Sequence, residues 1–457
     1  MGVRPVNRCK IAPGPPGNFL LGNLLEFRRD VLGLLTESAR RYGDVVRCRL
    51  GPHVVHLINH PCHIEHVLHK YSENYDKRTR SAAKIRDACG DGLLTSDGEL
   101  WRRQRRLLQP AFQQQRIQGL APVTTEATGQ TLQRWARFAA TGEPIDVASE
   151  MMRLTCTIAA RSFFGSDVGN DAETIERSLN VLLQYTWGRL ESVFDLGRFF
   201  PTSKTQRFRE AVATLDQIVY RIIAERREGK STDRDLLSML LTARDEQTGE
   251  KMPDKQLRDE TITMLLSGHE TTANALARTF YLLSKFPEAQ RRLNAELADV
   301  LGGRVPTASD VPSLRYTTML FQESLRLYPP IWIIERRAIR DDEIGGYHIP
   351  AGTSVVISPY ALHRHAGFWE NPEGFDPERF SADRFASVAQ HAYLPFGTGG
   401  HQCIGKEFAM MEARLIIAQV AQSYRLHLVP GHPFVLRPGI TLGLRHGLLM
   451  NVCPINE

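Results

Sequence analysis

One cysteine stands out by its setting. Phe396-Gly397-Thr398-Gly399-Gly400-His401-Gln402-Cys403-Ile404-Gly405 is a glycine-rich loop that delivers Cys403 to the expected start of a helix. A helix N-terminus carries partial positive charge and open N–H groups, and both favour a thiolate over a thiol. Gly399 and Gly405 lack the side chain that would keep a flat cofactor away from the backbone. A thiolate is a strong axial donor to haem iron, and its push favours O–O cleavage. The plainer alternative is a buried structural cysteine beside an ordinary glycine turn.

A second segment breaks the rules of the helix that carries it. The pattern predicts a long, mostly apolar helix from Asp254, read as its N-cap, to Lys285, just before Pro287. In its middle lies Ser267-Gly268-His269-Glu270-Thr271-Thr272. Glycine and threonine weaken a helix interior, and a carboxylate inside an apolar helix is costly. Ser267 and Thr271 share a face, so the Thr271 hydroxyl can bond back to the Ser267 carbonyl and loosen the helix there. Such a groove has room for O2 and water, and O–O heterolysis needs protons delivered to the distal oxygen. The alternative is a polar stripe facing another helix.

Two further sets pair charges at helical spacing. Glu323 and Arg326 share one face of an apolar run that ends at Pro329-Pro330. They are either a surface ion pair of little worth or a buried pair that needs further hydrogen bonds to offset desolvation. Pro377-Glu378-Arg379-Phe380 offers Arg379 as a third member. Trp101 and Arg105 share a face of a helix opening at Gly98, with Arg102 and Arg106 on another. The planar fork of arginine suits a carboxylate.

The elements that must position these residues are mostly helical. An amphipathic helix is predicted over Leu32–Tyr42, then a hairpin of Val45–Leu50 and His53–Ile58 turning at Gly51-Pro52. From Pro61 to about Pro330 the pattern is helical, with breaks near Gly90-Asp91-Gly92, Pro122, Gly142, Gly165, Pro201 and Gly302-Gly303. The last quarter holds short β-runs, Gly352–Ile357 and Leu442–Val452, and one strong helix over Ile404–Tyr424. The fold class is mainly α with small β-sheets. No linker, charge block or repeat divides the 457 residues, so a single large domain over 1–457 is expected. Residues 1–25 form a proline-rich N-terminal segment without a membrane anchor, in which Pro13, Pro15 and Pro16 precede Phe19-Leu20-Leu21-Gly22-Asn23.

These segments, in this order, resemble the cytochrome P-450 family. The cysteine loop matches F-x-x-G-x-[RH]-x-C-x-G, and the helix interior resembles [AG]-G-x-[DE]-T-[TS] at every position but the first; the E-x-x-R, P-E-R-F and W-x-x-x-R elements are also present. The resemblance implies haem b bound through Cys403, with Phe396, Gly397, His401, Gly405 and Gly268 around it. It implies that Glu270 feeds protons and Thr271 organises the oxygen. Trp101 and Arg105 are implied to hold a haem propionate, with Arg336 and His363 as further candidates. Glu323, Arg326 and Arg379 are implied to be scaffold for the cysteine loop, not catalysts. Ser267 departs from the usual Ala or Gly, and its hydroxyl near the iron would shift water structure or substrate position.

The implied activity is a monooxygenase of bacterial secondary metabolism, converting RH, O2, two electrons and two protons to ROH and water. The chain shows no flavin or iron–sulfur module, so electrons come from a ferredoxin or flavodoxin with its NAD(P)H-dependent reductase. Candidate substrate walls are the stretches 86–94, 182–200, 331–334 and 440–442. Ala88, Leu94, Ile331, Trp332 and Ile333 suggest a largely apolar pocket for a terpenoid, polyketide, fatty acid or steroid-like molecule, with Ser267 as a further substrate-binding candidate. A peroxide-driven or redox-neutral haem-thiolate enzyme is one alternative, and retention of Glu270 and Thr271 argues against it. A non-enzymatic haem sensor is another, and it would not need that pair.

Composition bounds the rest. The net charge is +6, but Lys and Arg are scattered, which fits an acidic protein partner met by residues such as Lys406 and excludes a nucleic-acid reader. Seven cysteines without C-x-x-C spacing argue against a disulfide framework or zinc site and for a reducing compartment. A cytoplasmic monomer is expected.

Overall fold

The computed structural model describes residues 10–165, 171–191, 202–228 and 235–455. Cys9, the first nine residues of the N-terminal segment and residues 192–200 of one candidate wall lie outside the described residues. Contacts gather into two compact units, each assembled from separate stretches of chain.

The first unit comprises Met1–Ala83, Ile331–Gly374 and Phe385–Cys403. Strands β1 (Val45–Leu50) and β2 (His53–Ile58) form the hairpin the sequence predicts, with Gly51 at positive φ in the turn. Strands β3 (Tyr75–Asp76), β4 (Ile334–Ala338) and β5 (Ser354–Ile357) complete a five-stranded sheet in the order β1-β2-β5-β4-β3. The β2–β5 pair is parallel and joins distant parts of the chain. Val45, Ile58, Val355 and Ile357 pack with Ile64, Val67, Leu68, Leu362 and Leu394 in one core. Leu394 opens the cysteine loop, so the loop is rooted in that core. Helix α1 runs Leu24–Tyr42, eight residues longer than its predicted start, with a break at Asp30. Asp30 leaves helical φ/ψ and its side chain accepts from the Gly33 N–H at 2.9 Å, a turn-type bond that hides the earlier helix from a periodicity reading.

The second unit comprises Lys84–Pro330, Phe375–Arg384 and Ile404–Glu457. It is largely helical and includes α2 (Gly98–Leu108), α3 (Val147–Phe164), α4 (Asp254–Lys285), α5 (Arg315–Leu327) and α6 (Lys406–Ser423). α4 has the predicted bounds, but Pro253 holds the cap position and Asp254 is already helical. α3 packs along it, and the Thr155 hydroxyl donates to the His269 carbonyl at 2.9 Å. Phe164, Leu179, Leu182, Leu215, Leu257 and Leu265 are among the residues of the main core. α6 begins at Lys406, not Ile404, and ends before Tyr424, which starts a strand. The single β-run expected over Leu442–Val452 is two strands, Leu442–Leu444 and Leu449–Pro454, in different sheets. Gly447, at positive φ, lies between them.

Candidate active site

The cysteine loop is fixed by its own backbone. The Gly397 N–H donates to the Leu394 carbonyl at 3.1 Å, and the Cys403 N–H donates to the Phe396 carbonyl at 2.9 Å, closing the loop on itself. Gly397 and Gly399 take positive φ, which a side-chain-bearing residue adopts only with strain. Gly399 has a second reason to be glycine: a Cβ there would collide with the Leu68 carbonyl oxygen. That close approach is to the protein's own backbone, not to a cofactor. Phe396, Gly397 and His401 are half-buried, whereas Cys403 is exposed and forms no disulfide. The Thr398 hydroxyl meets His69 Nε2 at 2.8 Å and His391 Nδ1 at 3.4 Å, two supports that sequence reasoning missed.

The rule-breaking segment of α4 is a window in a buried helix. Every residue from Gln256 to Leu266 and from Thr272 to Phe280 is buried. Between them Ser267 is exposed, and Gly268, Glu270 and Thr271 are half-buried. The Thr271 hydroxyl donates to the Ser267 carbonyl at 2.6 Å, the predicted back-bond, and the Ser267 hydroxyl donates to the Thr263 carbonyl at 2.7 Å. A Cβ at Gly268 would meet Ala159 in ordinary contact, so no described neighbour demands glycine there.

Desolvation raises the Glu270 carboxyl above the ordinary carboxylate range, while the Thr441 hydroxyl and the charges of Arg437 and Arg278 pull it back. Its Oε2 is buried with no hydrogen-bond partner among the described residues. Asn274 Nδ2 donates to Thr441 Oγ1 at 3.0 Å, and Arg278 donates to the carbonyls of Asn274 and Leu442. No sequence spacing links Thr441 to Glu270, so this support was not legible.

Glu412 was also missed, although it carries the same signal as Glu270, a lone acid in an apolar helical run. Burial pushes its carboxyl well above the ordinary range, and the Thr272 hydroxyl works against that shift.

The acid–base cluster near α5 is a buried network. Arg326 donates from Nε and Nη2 to the two Glu323 oxygens at 2.7 and 2.8 Å, with both side chains wholly buried. Arg379 Nε at 3.3 Å and the Asp376 N–H at 2.9 Å complete the acceptors' coordination. These extra bonds are what a buried ion pair needs to offset desolvation.

The arginines of α2 divide. Arg102 pairs with Glu99, and Arg103 and Arg106 both reach the buried Asp245 carboxylate. Trp101 packs partly buried against the main core, and Arg105 is half-buried one turn on.

In the first unit Arg336 is half-buried on β4. His363 is different: its ring is wholly buried, and Nε2 accepts from the Leu394 N–H at 2.8 Å. It offers no surface to a propionate and props the start of the cysteine loop. Ala88 and Trp332, expected in a substrate wall, are buried core residues with no surface to offer. Leu94 is exposed, and Ile331 and Ile333 are half-buried.

Each unit carries residues whose chemistry a haem-thiolate protein uses. One presents the exposed Cys403 on a rigid glycine loop; the other presents an acid and an alcohol in the open window of a buried helix, with a Glu270 oxygen left without a partner among the described residues. These residues fit haem b.

Comparison with known proteins gives the same answer. The cytochrome P450 family model matches residues 12–444. Cyclooctatin synthase of Streptomyces melanosporofaciens is 38% identical over 442 residues, covering 95% of this chain and 94% of that protein. Cyclooctat-9-en-7-ol 5-monooxygenase of the same organism is 38% identical over 420 residues, covering 91% and 90%. Pentalenene oxygenase of Streptomyces avermitilis is 33% identical over 415 residues, covering 90% of each. With its cysteine loop, its acid–alcohol window and this full-length likeness, the chain belongs to the cytochrome P450 family.

Proposed function

We propose that this haem-thiolate monooxygenase oxidises a terpenoid, with electrons from a separate ferredoxin or flavodoxin and its NAD(P)H-dependent reductase. The observation that carries the assignment of roles is the window of α4. When bound, haem b supplies the O2-binding and O–O-cleaving chemistry that a thiolate ligand favours. Cys403 would be its ligand, Trp101, Arg105 and Arg336 would hold its propionates, and His401 would lie in the loop around it. Because Thr271 gives its proton to the Ser267 carbonyl, its oxygen lone pairs remain to accept from a proton-bearing group in the window. Glu270, raised by desolvation, keeps a proton to give on the neutral side of the usual carboxylate range. Its unpartnered Oε2 is where a water would relay that proton.

The terpenoid reading rests on names. The relatives act, by their names, on pentalenene and on cyclooctat-9-en-7-ol, an alkene and an alkenol. Leu94, Ile331 and Ile333 supply apolar surface of the right kind, and Ser267 adds one hydroxyl that can orient an alcohol. None of the six described cysteines forms a disulfide, which supports a cytoplasmic setting, and we read the protein as a monomer.

The test begins with the carbon monoxide spectrum of the reduced protein and of Cys403→Ala. A long-wavelength Soret band, lost in the variant, is expected; a band unchanged by the substitution would overturn the ligand assignment. Turnover of cyclic alkenes with a ferredoxin system, compared with peroxide alone, then separates a monooxygenase on terpenoids from a peroxide-driven enzyme.

A further inference from the structure

Phe19, Leu20 and Leu21, consecutive and apolar, form the tip of a turn in the first unit. Phe19 is 88% and Leu20 74% exposed, and Ile11, Leu21 and Leu25 are exposed nearby in the sequence. Such a cluster is costly to leave in water, and contiguous exposed apolar surface marks an interaction site.

The turn is rigid. Asn18 and Gly22 exchange N–H···O bonds of 2.9 and 2.8 Å, and the Asn18 side chain accepts from the N–H groups of Leu20 and Leu21 at 2.9 and 3.1 Å. Arg49 of β1 donates to the carbonyls of Asn18 and Phe19, and the Gly51 N–H donates to the Leu21 carbonyl at 2.9 Å. Gly22 sits at positive φ where a Cβ would strike the Arg49 carbonyl. The buried Asn23 side chain ties the base of the turn to the carbonyls of Pro15 and Pro16. The backbone groups of the tip are thus largely satisfied inside the protein while its side chains face outward.

That combination decides the partner. Hydrocarbon offers no hydrogen bonds, so a loop can enter it only if its backbone is already paired. A convex tip of three side chains is far short of the roughly 800 Å² per partner that a stable protein interface buries, whereas a lipid surface moulds itself to a tip. Among residues 1–30 the charges are Arg4, Arg8, Lys10, Arg28 and Arg29 against Glu26 and Asp30, five cations to two anions. Such an excess favours anionic headgroups. We propose that the Phe19–Leu20–Leu21 tip is a lipid-docking element that seats this enzyme on an anionic membrane surface without spanning it. Among the described residues no helix is long and apolar enough to cross a membrane, so the contact is peripheral.

The test uses the full-length holoenzyme. Flotation is measured with vesicles of phosphatidylcholine alone and of phosphatidylcholine mixed with phosphatidylglycerol, for the parent chain and for Leu20→Ser/Leu21→Ser. The parent is expected to float, more strongly with phosphatidylglycerol, and the variant to bind at least about tenfold more weakly. An unchanged carbon monoxide spectrum shows the variant folded. In a second arm, Phe19→Trp is expected to show added fluorescence, relative to the parent, that acyl-brominated lipids quench. Equal flotation of parent and variant, or no added quenching, overturns the proposal. So does a variant that loses self-association while vesicle binding is absent in both chains, which would assign the tip to a second copy.

Discussion

At the residue scale the chemistry turns on where protons are held. Glu270 is raised by desolvation and restrained by Thr441, Arg437 and Arg278. If the protonated acid serves turnover, the rate falls as pH climbs through that raised value. Thr441→Val removes a bond that favours the charged form, so the alkaline limb of the kcat profile should move to higher pH. Glu270→Gln should erase that limb and lower kcat by roughly 10²-fold. A profile identical in parent and Thr441→Val would remove Thr441 from the proton path. Glu412 gives a stability counterpart. A carboxyl raised in the folded state binds its proton more tightly there, so its charged form costs stability. The cost is absent below about pH 4.3, the unfolded value, and complete above the raised one. Glu412→Gln should therefore melt above the parent at neutral pH and converge with it in acid. A Tm difference that ignores pH would assign the effect to packing instead.

At the scale of elements, α5 and its neighbours act as one clamp. Glu323→Gln leaves the Arg326 guanidinium wholly buried without its charged partner. Removing one member of a buried pair typically costs about 3–5 kcal/mol, so the urea midpoint and haem content should both fall. Retained haem content with an unchanged midpoint would show the clamp to be dispensable. The same scale shows what the sequence made legible. Two β-rich runs around Gly51-Pro52 predicted both strands of the β1–β2 hairpin, and a mostly apolar run from Asp254 to Lys285, just before Pro287, predicted the extent of α4. The back-bond of Thr271 followed from helical spacing alone. Less local features escaped. The start of α1 hides behind a non-helical Asp30, and Thr441 reaches Glu270 across about 170 residues of chain. His363 carries the residue type of an anion binder, but burial commits its Nε2 to a backbone N–H. Burial is a property of the assembled core, which motif spacing does not encode.

At the scale of the whole molecule, charge shapes the meeting with an electron donor. The cations of α2 that look available in the sequence are largely spent internally, Arg103 and Arg106 on Asp245 and Arg102 on Glu99. If the electron donor is acidic, its attraction rests on the net charge of +6 rather than on a helical patch. Reduction by an acidic ferredoxin should slow as salt rises toward about 0.15 M, where screening acts over about 8 Å, while Arg103→Gln should leave that rate within about twofold. A reduction rate insensitive to salt would rule out electrostatic steering. The sheet of the first unit has a consequence for biosynthesis. Ile58 of β2 pairs with Ile357 of β5, so one edge of the hairpin waits for a strand made roughly 300 residues later. At about 5–20 residues per second that delay is roughly 15–60 seconds. Throughout it the nascent chain carries an unpaired strand edge on the ribosome while the helices between Lys84 and Pro330 are being made. Synthesis order thus places the N-terminal hairpin among the first structures formed and among the last completed, and leaves its edge open to aggregation during translation.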